Sequence, residues 1–144
     1  LFGCDICQQV CPWNARFAMP TDDKTFQPSP WMKTADLQAF LELEPEAWRV
    51  GLKGSPLERP RRKGLVRNAS LVAGNREDRS YLHGLLNVLQ NDPEPLARRH
   101  AAWALGRIGD ASTKRALQQA RSAENDISVQ DAIEAAMESL NNQI

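Results

Sequence analysis

The sequence predicts a mainly α-helical protein in two parts, a short cysteine-bearing segment over residues 1–33 and an α-solenoid of stacked helix pairs over 34–144. Three observations predict it. Ala69-x-x-Val72-Ala73, Ala101-x-x-Ala104-Leu105 and Ala132-x-x-Ala135-Ala136 recur at offsets of 32 and 31 residues, each covering one helical face, and Gly74 and Gly106 coincide in the first two. Between these repeats lie further amphipathic stretches, with Leu82, Leu85, Leu86 and Leu89 at i, i+3, i+4 and i+7. At the start stand Cys4, Cys7 and Cys11, spaced C-x2-C-x3-C-P, and no further cysteine follows.

Taken in order, the cysteine segment runs to about Ala18 and leads into a stretch punctuated by Pro20, Pro28 and Pro30 that should be extended, because proline fixes φ and removes a backbone donor. From Thr34, read as an N-cap with Asp36 in the first turn, Leu37, Phe40 and Leu41 mark a helix. A short helix should begin at Pro45, with Gly51, Gly54 and Pro56 interrupting it and Pro60 preceding the next. Asp92-Pro93 is expected to open the second repeat helix, a cap followed by Pro at the first helical position, and Ser112 to Ser122 to form another. Small alanines let neighbouring helices approach closely, and each pair buries its apolar side only by stacking on the next. The run from Asp92 to Gly106 resembles HEAT-like repeats.

The cysteines point to iron–sulfur ligation. Thiolates at Cys4 and Cys7 can share one turn and one cube, whereas Cys11, followed by Pro12, is carried away from it; in two-cluster ferredoxins such a last cysteine ligates the other cluster. Only three of the usual four ligands are present, so the remaining ligands are expected upstream. Other chemistries fit less well. Haem attachment needs His where Gln8 stands. Zinc wants a second Cys/His pair, and His83 and His100 lie far off in helical segments, where packing is their expected role. A radical-SAM motif runs in the reverse order, and a disulfide leaves one thiol over. Zinc or inert buried thiols remain the alternatives.

Lysine plus arginine and aspartate plus glutamate both number 18, so the net charge is zero, but its distribution is uneven. From Arg49 to Arg67 seven cations face one anion, Glu58, whereas beyond Arg121 the chain carries Glu124, Asp126, Asp131, Glu134 and Glu138 and no cation. This asymmetry suggests a polyanionic partner on one part of the surface, against the plainer reading of a solvated charge run. Arg61, Arg62, Lys63 and Arg67 come first as candidate phosphate contacts, then Arg98 and Arg99 at the opening of the second repeat helix. Trp103 faces away from Ala101, Ala104 and Leu105, with Arg99 one turn before and Arg107 one turn after; its counterpart in the preceding repeat is Leu71, and core packing is expected of it. No apolar run approaches the roughly 18 residues of a membrane span. Nothing resembles a targeting peptide, which together suggests a reducing, cytoplasmic setting without a membrane partner.

The run Phe2-Gly3-Cys4-Asp5-Ile6-Cys7-Gln8-Gln9-Val10-Cys11-Pro12-Trp13-Asn14, the later Lys63-Gly64-Leu65-Val66-Arg67-Asn68-Ala69 and the helical repeat together resemble the C-terminal part of the epoxyqueuosine reductase family. The resemblance implies a cobalamin-dependent enzyme with two 4Fe-4S clusters that reduces epoxyqueuosine in tRNA, served by an external electron donor and acting as a monomer. It implies that Cys4 and Cys7 bind the nearer cluster, that Cys11 completes the other, and that Trp13 packs over the cluster while Asn14 turns the chain. Cobalamin and the catalytic residues would lie upstream of Leu1, leaving these residues inactive alone. Two other readings stand beside it: a ferredoxin-type electron-transfer module whose HEAT-like repeat docks a protein, and a structural scaffold with a zinc-stabilised start.

Overall fold

The computed structural model describes residues 1 and 3–142, and among them helices alternate with turns and no strand forms. The first part holds α1 (Ile6–Gln9) and α2 (Pro12–Phe17), then a 3-10 turn at Lys24–Phe26 capped by Asp23. Instead of staying extended, the proline stretch turns helical at α3 (Pro30–Thr34): Pro30 occupies the first helical position, where its missing N–H costs nothing, and Ser29 Oγ accepts from Met32 N at 3.3 Å. Thr34 therefore ends a helix rather than capping one. The next, α4 (Leu37–Leu41), is capped by Asp36, whose Oδ1 accepts from Ala39 N at 2.9 Å. Then comes α5 (Pro45–Gly51), as its proline predicts.

The repeat region follows as α6 (Arg61–Arg76), α7 (Leu82–Asn91), α8 (Pro95–Ile108), α9 (Ala111–Ala123) and α10 (Ile127–Asn141). Helices α6, α8 and α10 pack in succession as one layer, with α7 against α8 and α9 against α10. The core lies between these layers, and Leu65, Leu85, Leu105, Leu117 and Ile133 are fully buried in it. The alanine triplets occupy the contacts between successive helices. A Cβ on Gly74 would sit 3.1 Å from Ala104 Cα, and one on Gly106 would sit 2.7 Å from Ala136 Cα. The two glycines thus mark the same helix crossing one repeat apart, where only hydrogen fits.

The second repeat helix starts two residues later than Asp92-Pro93 suggests, with Pro95 at its first position. Asp92 is buried instead: its Oδ1 accepts from Glu94 N at 2.9 Å, and its carboxylate meets Arg62 of α6. The cysteine segment joins the solenoid through Leu1, whose carbonyl accepts a hydrogen bond from Asn68 of α6. Leu1 and Gly3 line a shallow recess with Asn68, Leu71 and Val72.

Candidate functional site

The cysteine end is built from two very short helices. Cys7 lies in α1, and Cys11 is the N-cap residue of α2, with Pro12 starting that helix. Asn14 Nδ2 donates to Gln8 Oε1 at 2.6 Å and to the Gln8 carbonyl at 3.2 Å, tying the two helices together across Cys11. Cys4 and Cys7 are exposed and Cys11 is half-buried, all three as free thiols. Among the described residues no three Cys, His, Asp or Glu side chains are grouped to hold a metal ion. As donors, free and accessible thiols suit a ligand set completed by other residues. Trp13 stacks on Phe17 with 5.0 Å between ring centroids and is 71% exposed. His83 is exposed, and the half-buried ring of His100 is held by a 2.8 Å bond between Nδ1 and the Leu96 carbonyl. Burial, with a smaller push from Arg99 and Arg67, holds the His100 pKa below the ordinary imidazole value.

The structure divides the six basic candidates into two groups. Arg62 donates from Nε to the Leu43 carbonyl at 2.6 Å and grips Asp92 with both terminal nitrogens, so it binds the α4–α5 turn to the α7–α8 loop. Arg98 repeats this one step on. Its Nε and Nη2 hold Glu124 at 2.7 and 2.9 Å, and Nη1 donates to the Asp92 carbonyl at 2.8 Å. Both pairs are largely shielded from water, and bidentate geometry satisfies most of their donors. The hydrogen bond from Arg98 is the main reason that the Glu124 pKa is depressed, as the same bond raises that of Arg98. The sequence places these two arginines at the surface, but each lies opposite an acid that precedes a helix of the α6–α8–α10 layer, Asp92 before α8 and Glu124 before α10. Asp92 and Glu124, missed in the sequence, stand 32 residues apart, and that repeat was the available signal.

Of the other four, Arg61 and Arg99 are exposed and Lys63 and Arg67 half-buried, Arg67 donating from Nε and Nη2 to Asn68 Oδ1 at 2.9 and 2.8 Å. Arg61 is exposed at the first position of α6, where it adopts a left-handed φ of 55°. It lines a cleft of about 360 Å³ with Arg49, Lys63 and the Pro93-Glu94 turn. Lys63 reaches Glu94 only loosely, at 3.8 Å, with both side chains about two-fifths exposed. Lys63, Arg67 and Leu71 follow at intervals of four on α6, and Arg99, Trp103 and Arg107 do so on α8, so each trio shares a helix face. Trp103 is not a core residue as expected: 37% of its surface is exposed. On α10 the equivalent face carries Asp131, and Glu134 and Glu138 are exposed beside it, so the basic face stops at α8.

Stacked helix pairs with this periodicity define an α-solenoid of HEAT repeats; the HEAT-repeat family matches residues 62–138, and the chain belongs to it. Over most of its length it is also related to epoxyqueuosine reductases. It is 30% identical to that of Listeria monocytogenes over 90% of this chain and 34% of the relative, and 37% identical to that of Pseudomonas aeruginosa over 76% and 30%. The structure of the Bacillus subtilis epoxyqueuosine reductase superimposes with a TM-score of 0.81 at 30% identity, covering 96% of this chain and 37% of that one. A crystal structure of epoxyqueuosine reductase with an epoxyqueuosine-modified tRNA stem loop gives 0.78 at 29% identity over 97% and 37%. The chain spans about a third of the length of these relatives.

Proposed function

We propose that this chain is the part of an epoxyqueuosine reductase that supplies cluster ligands and a tRNA-holding repeat for the reduction of epoxyqueuosine to queuosine. The observation that carries the reading is the likeness, over 97% of the chain, to a reductase crystallised with its modified tRNA stem loop. The basic face of α6 and α8 supports it independently. On this reading Arg61, Lys63, Arg67 and Arg99 neutralise phosphates along the RNA backbone, positioning the stem without reading bases. Arg62 and Arg98 act one step back, fixing the helices that present those cations. Cys4 and Cys7 ligate one 4Fe-4S cluster and Cys11 the other, each completed by cysteines elsewhere in the full-length protein. Bound clusters would pass electrons from an external donor, and the cobalamin and the reacting centre belong to the remainder of the enzyme. Such an enzyme meets its tRNA in the cytoplasm.

Two measurements on the full-length protein test this. Arg61→Glu with Lys63→Glu should weaken binding of different tRNAs alike, and each lost phosphate contact should lower the slope of log K against log salt by roughly 0.7 to 0.9. Fluorescence anisotropy across a salt series reads both; unchanged affinity and slope would leave the cations as a solvated face. After anaerobic reconstitution, Cys11→Ser should damage the cluster that Cys4 and Cys7 do not bind, read by iron and sulfide analysis with EPR. Stoichiometric zinc without labile sulfide would overturn the cluster assignment.

A further inference from the structure

Trp103 sits in the middle of α8, where Ala101, Ala102, Ala104 and Leu105 around it are fully buried, yet more than a third of its own surface is open. The core does not need a ring at this position. The equivalent residue is Leu71 on α6; on α10 the crossing of Gly106 with Ala136, which repeats that of Gly74 with Ala104, sets the offset at 32 rather than the 31 of the alanine triplets and makes it Ala135. What the ring has is a brace. Its Cζ3 lies 2.7 Å from where a Cβ of Gly74 would be, so an edge of the indole is seated on α6 over a residue that has no side chain to displace it. Arg107 stands with its guanidinium carbon 5.8 Å from the ring centroid and is itself held by Glu77 at 2.6 Å. Arg99, one turn back on the same face, is exposed.

An aromatic ring that is exposed, fixed along one edge and flanked by cations is equipped to stack a nucleobase, since every base offers a π face and the cations hold the backbone on either side. In RNA such stacking is open to unpaired bases, because those of a helix are already stacked on their neighbours. The surroundings narrow the occupant further. Asp131 and Glu138 on α10 repel a phosphate backbone, whereas Glu134 is paired with Arg121 of α9, so RNA on this face is confined to α6 and α8. Leu1 and Gly3 line a recess with Asn68, Leu71 and Val72, and Asn68 donates to the Leu1 carbonyl, which brings the start of the cysteine segment to the same region of α6.

We propose that Trp103 is a stacking platform for an unpaired base of the RNA held on the α6–α8 face, flanked by Arg99 and Arg107; this rests on the tRNA-binding reading above. The phosphate contacts then give affinity for any RNA, and Trp103 gives preference for RNA with a loop.

The test uses the full-length protein with two probes, a tRNA anticodon stem-loop and a fully paired RNA duplex of equal length. Trp103→Leu keeps an apolar cover over Gly74 and copies the residue of the preceding repeat. It should weaken stem-loop binding about tenfold and duplex binding less than about twofold, with the salt slope unchanged. Trp103→Tyr should restore most of the stem-loop affinity, and thermal melting of both variants should match the wild type. Equal loss for both probes, or stem-loop affinity within about twofold of wild type, overturns the stacking role. Arg67→Glu with Arg99→Glu separates the two levels of the proposal. If it weakens both probes while Trp103→Leu weakens neither, only the platform fails; if it too weakens neither, the tRNA reading of this face fails with it.

Discussion

The cysteine segment and the helical repeat obey different rules within one chain. No described residue from 1 to 30 is buried, and Ile6, Val10, Trp13, Phe17, Met19 and Phe26 all stand exposed. Helices α1 and α2, of four and six residues, are far too short to be stable by propensity. In the repeat region each helix gives its apolar face to the next, and the core runs without a break from Phe40 to Leu140. The difference teaches where the folding energy resides. The solenoid carries its own stability, whereas the cysteine segment leaves its large apolar side chains exposed, with Trp13 and Phe17 stacked on each other.

The sharpest way to break this distinction is to delete apolar bulk in both regions. Leu105→Ala in the fully buried α8 face should cost about 3 kcal/mol, while Phe17→Ala, away from any core, should stay within about 0.5 kcal/mol. Urea denaturation of this chain, followed by helical circular dichroism, measures both. A comparable loss from Phe17→Ala would mean that the segment is part of the cooperative unit.

What the sequence revealed follows the same division. The solenoid was legible because stacking demands small residues at fixed intervals, and the alanine triplets and the Gly74/Gly106 coincidence report that demand directly. Boundaries were less so. Thr34 and Asp92 are both good cap residues by type, but Asp36 and Glu94 hold the N-cap positions, since Asp92 is drawn inward by Arg62. That pairing also explains why Arg62 and Arg98 read as surface cations: their partners are 30 and 26 residues away, beyond any local pattern. Trp103 was misplaced for a related reason. Size and apolarity predict burial, but whether a ring enters the core or rests on its rim depends on the facing helix, here on Gly74.

A middle-sized effect should come from the shielded Arg98–Glu124 pair. Replacing Arg98 with Met strands a carboxylate that keeps only the N–H groups of Asn125 and Asp126, at a cost of about 2–3 kcal/mol. The sign with pH is fixed by the depressed Glu124 pKa. A carboxyl held lower in the folded state stabilises fully above its unfolded value near 4.5, and that contribution fades as pH falls through the folded one. Arg98→Met should therefore flatten the acid limb of the stability curve, measured as melting temperature from pH 7 to 3. An unchanged acid limb would show that the pair does not couple the repeats.

The smallest effect gives the cleanest comparison, because both regions contain the same device. Asp110 Oδ1 accepts from Ser112 N at 2.9 Å and Thr113 N at 3.1 Å ahead of α9, and Asp23 Oδ1 accepts from Thr25 N at 2.8 Å in the cysteine-bearing part. Hydrogen bonds from Ser112 and Thr113 pull the Asp110 pKa from 3.8 to about 2, and those from Thr25 lower that of Asp23. Each carboxylate thus favours its local turn at pH values above 3.8 and ceases to as pH falls through the lowered value. Asparagine caps nearly as well but does not titrate, so Asp→Asn removes the pH dependence and leaves the cap. Asp110→Asn should then reduce the acid sensitivity of solenoid melting slightly, because α9 unfolds with the repeats. Asp23→Asn should leave solenoid melting unchanged at every pH, although NMR titration still finds the Asp23 carboxyl shifted downward in the wild type. If Asp23→Asn moves the global melting temperature as much as Asp110→Asn does, the two regions fold as one and the contrast between them fails.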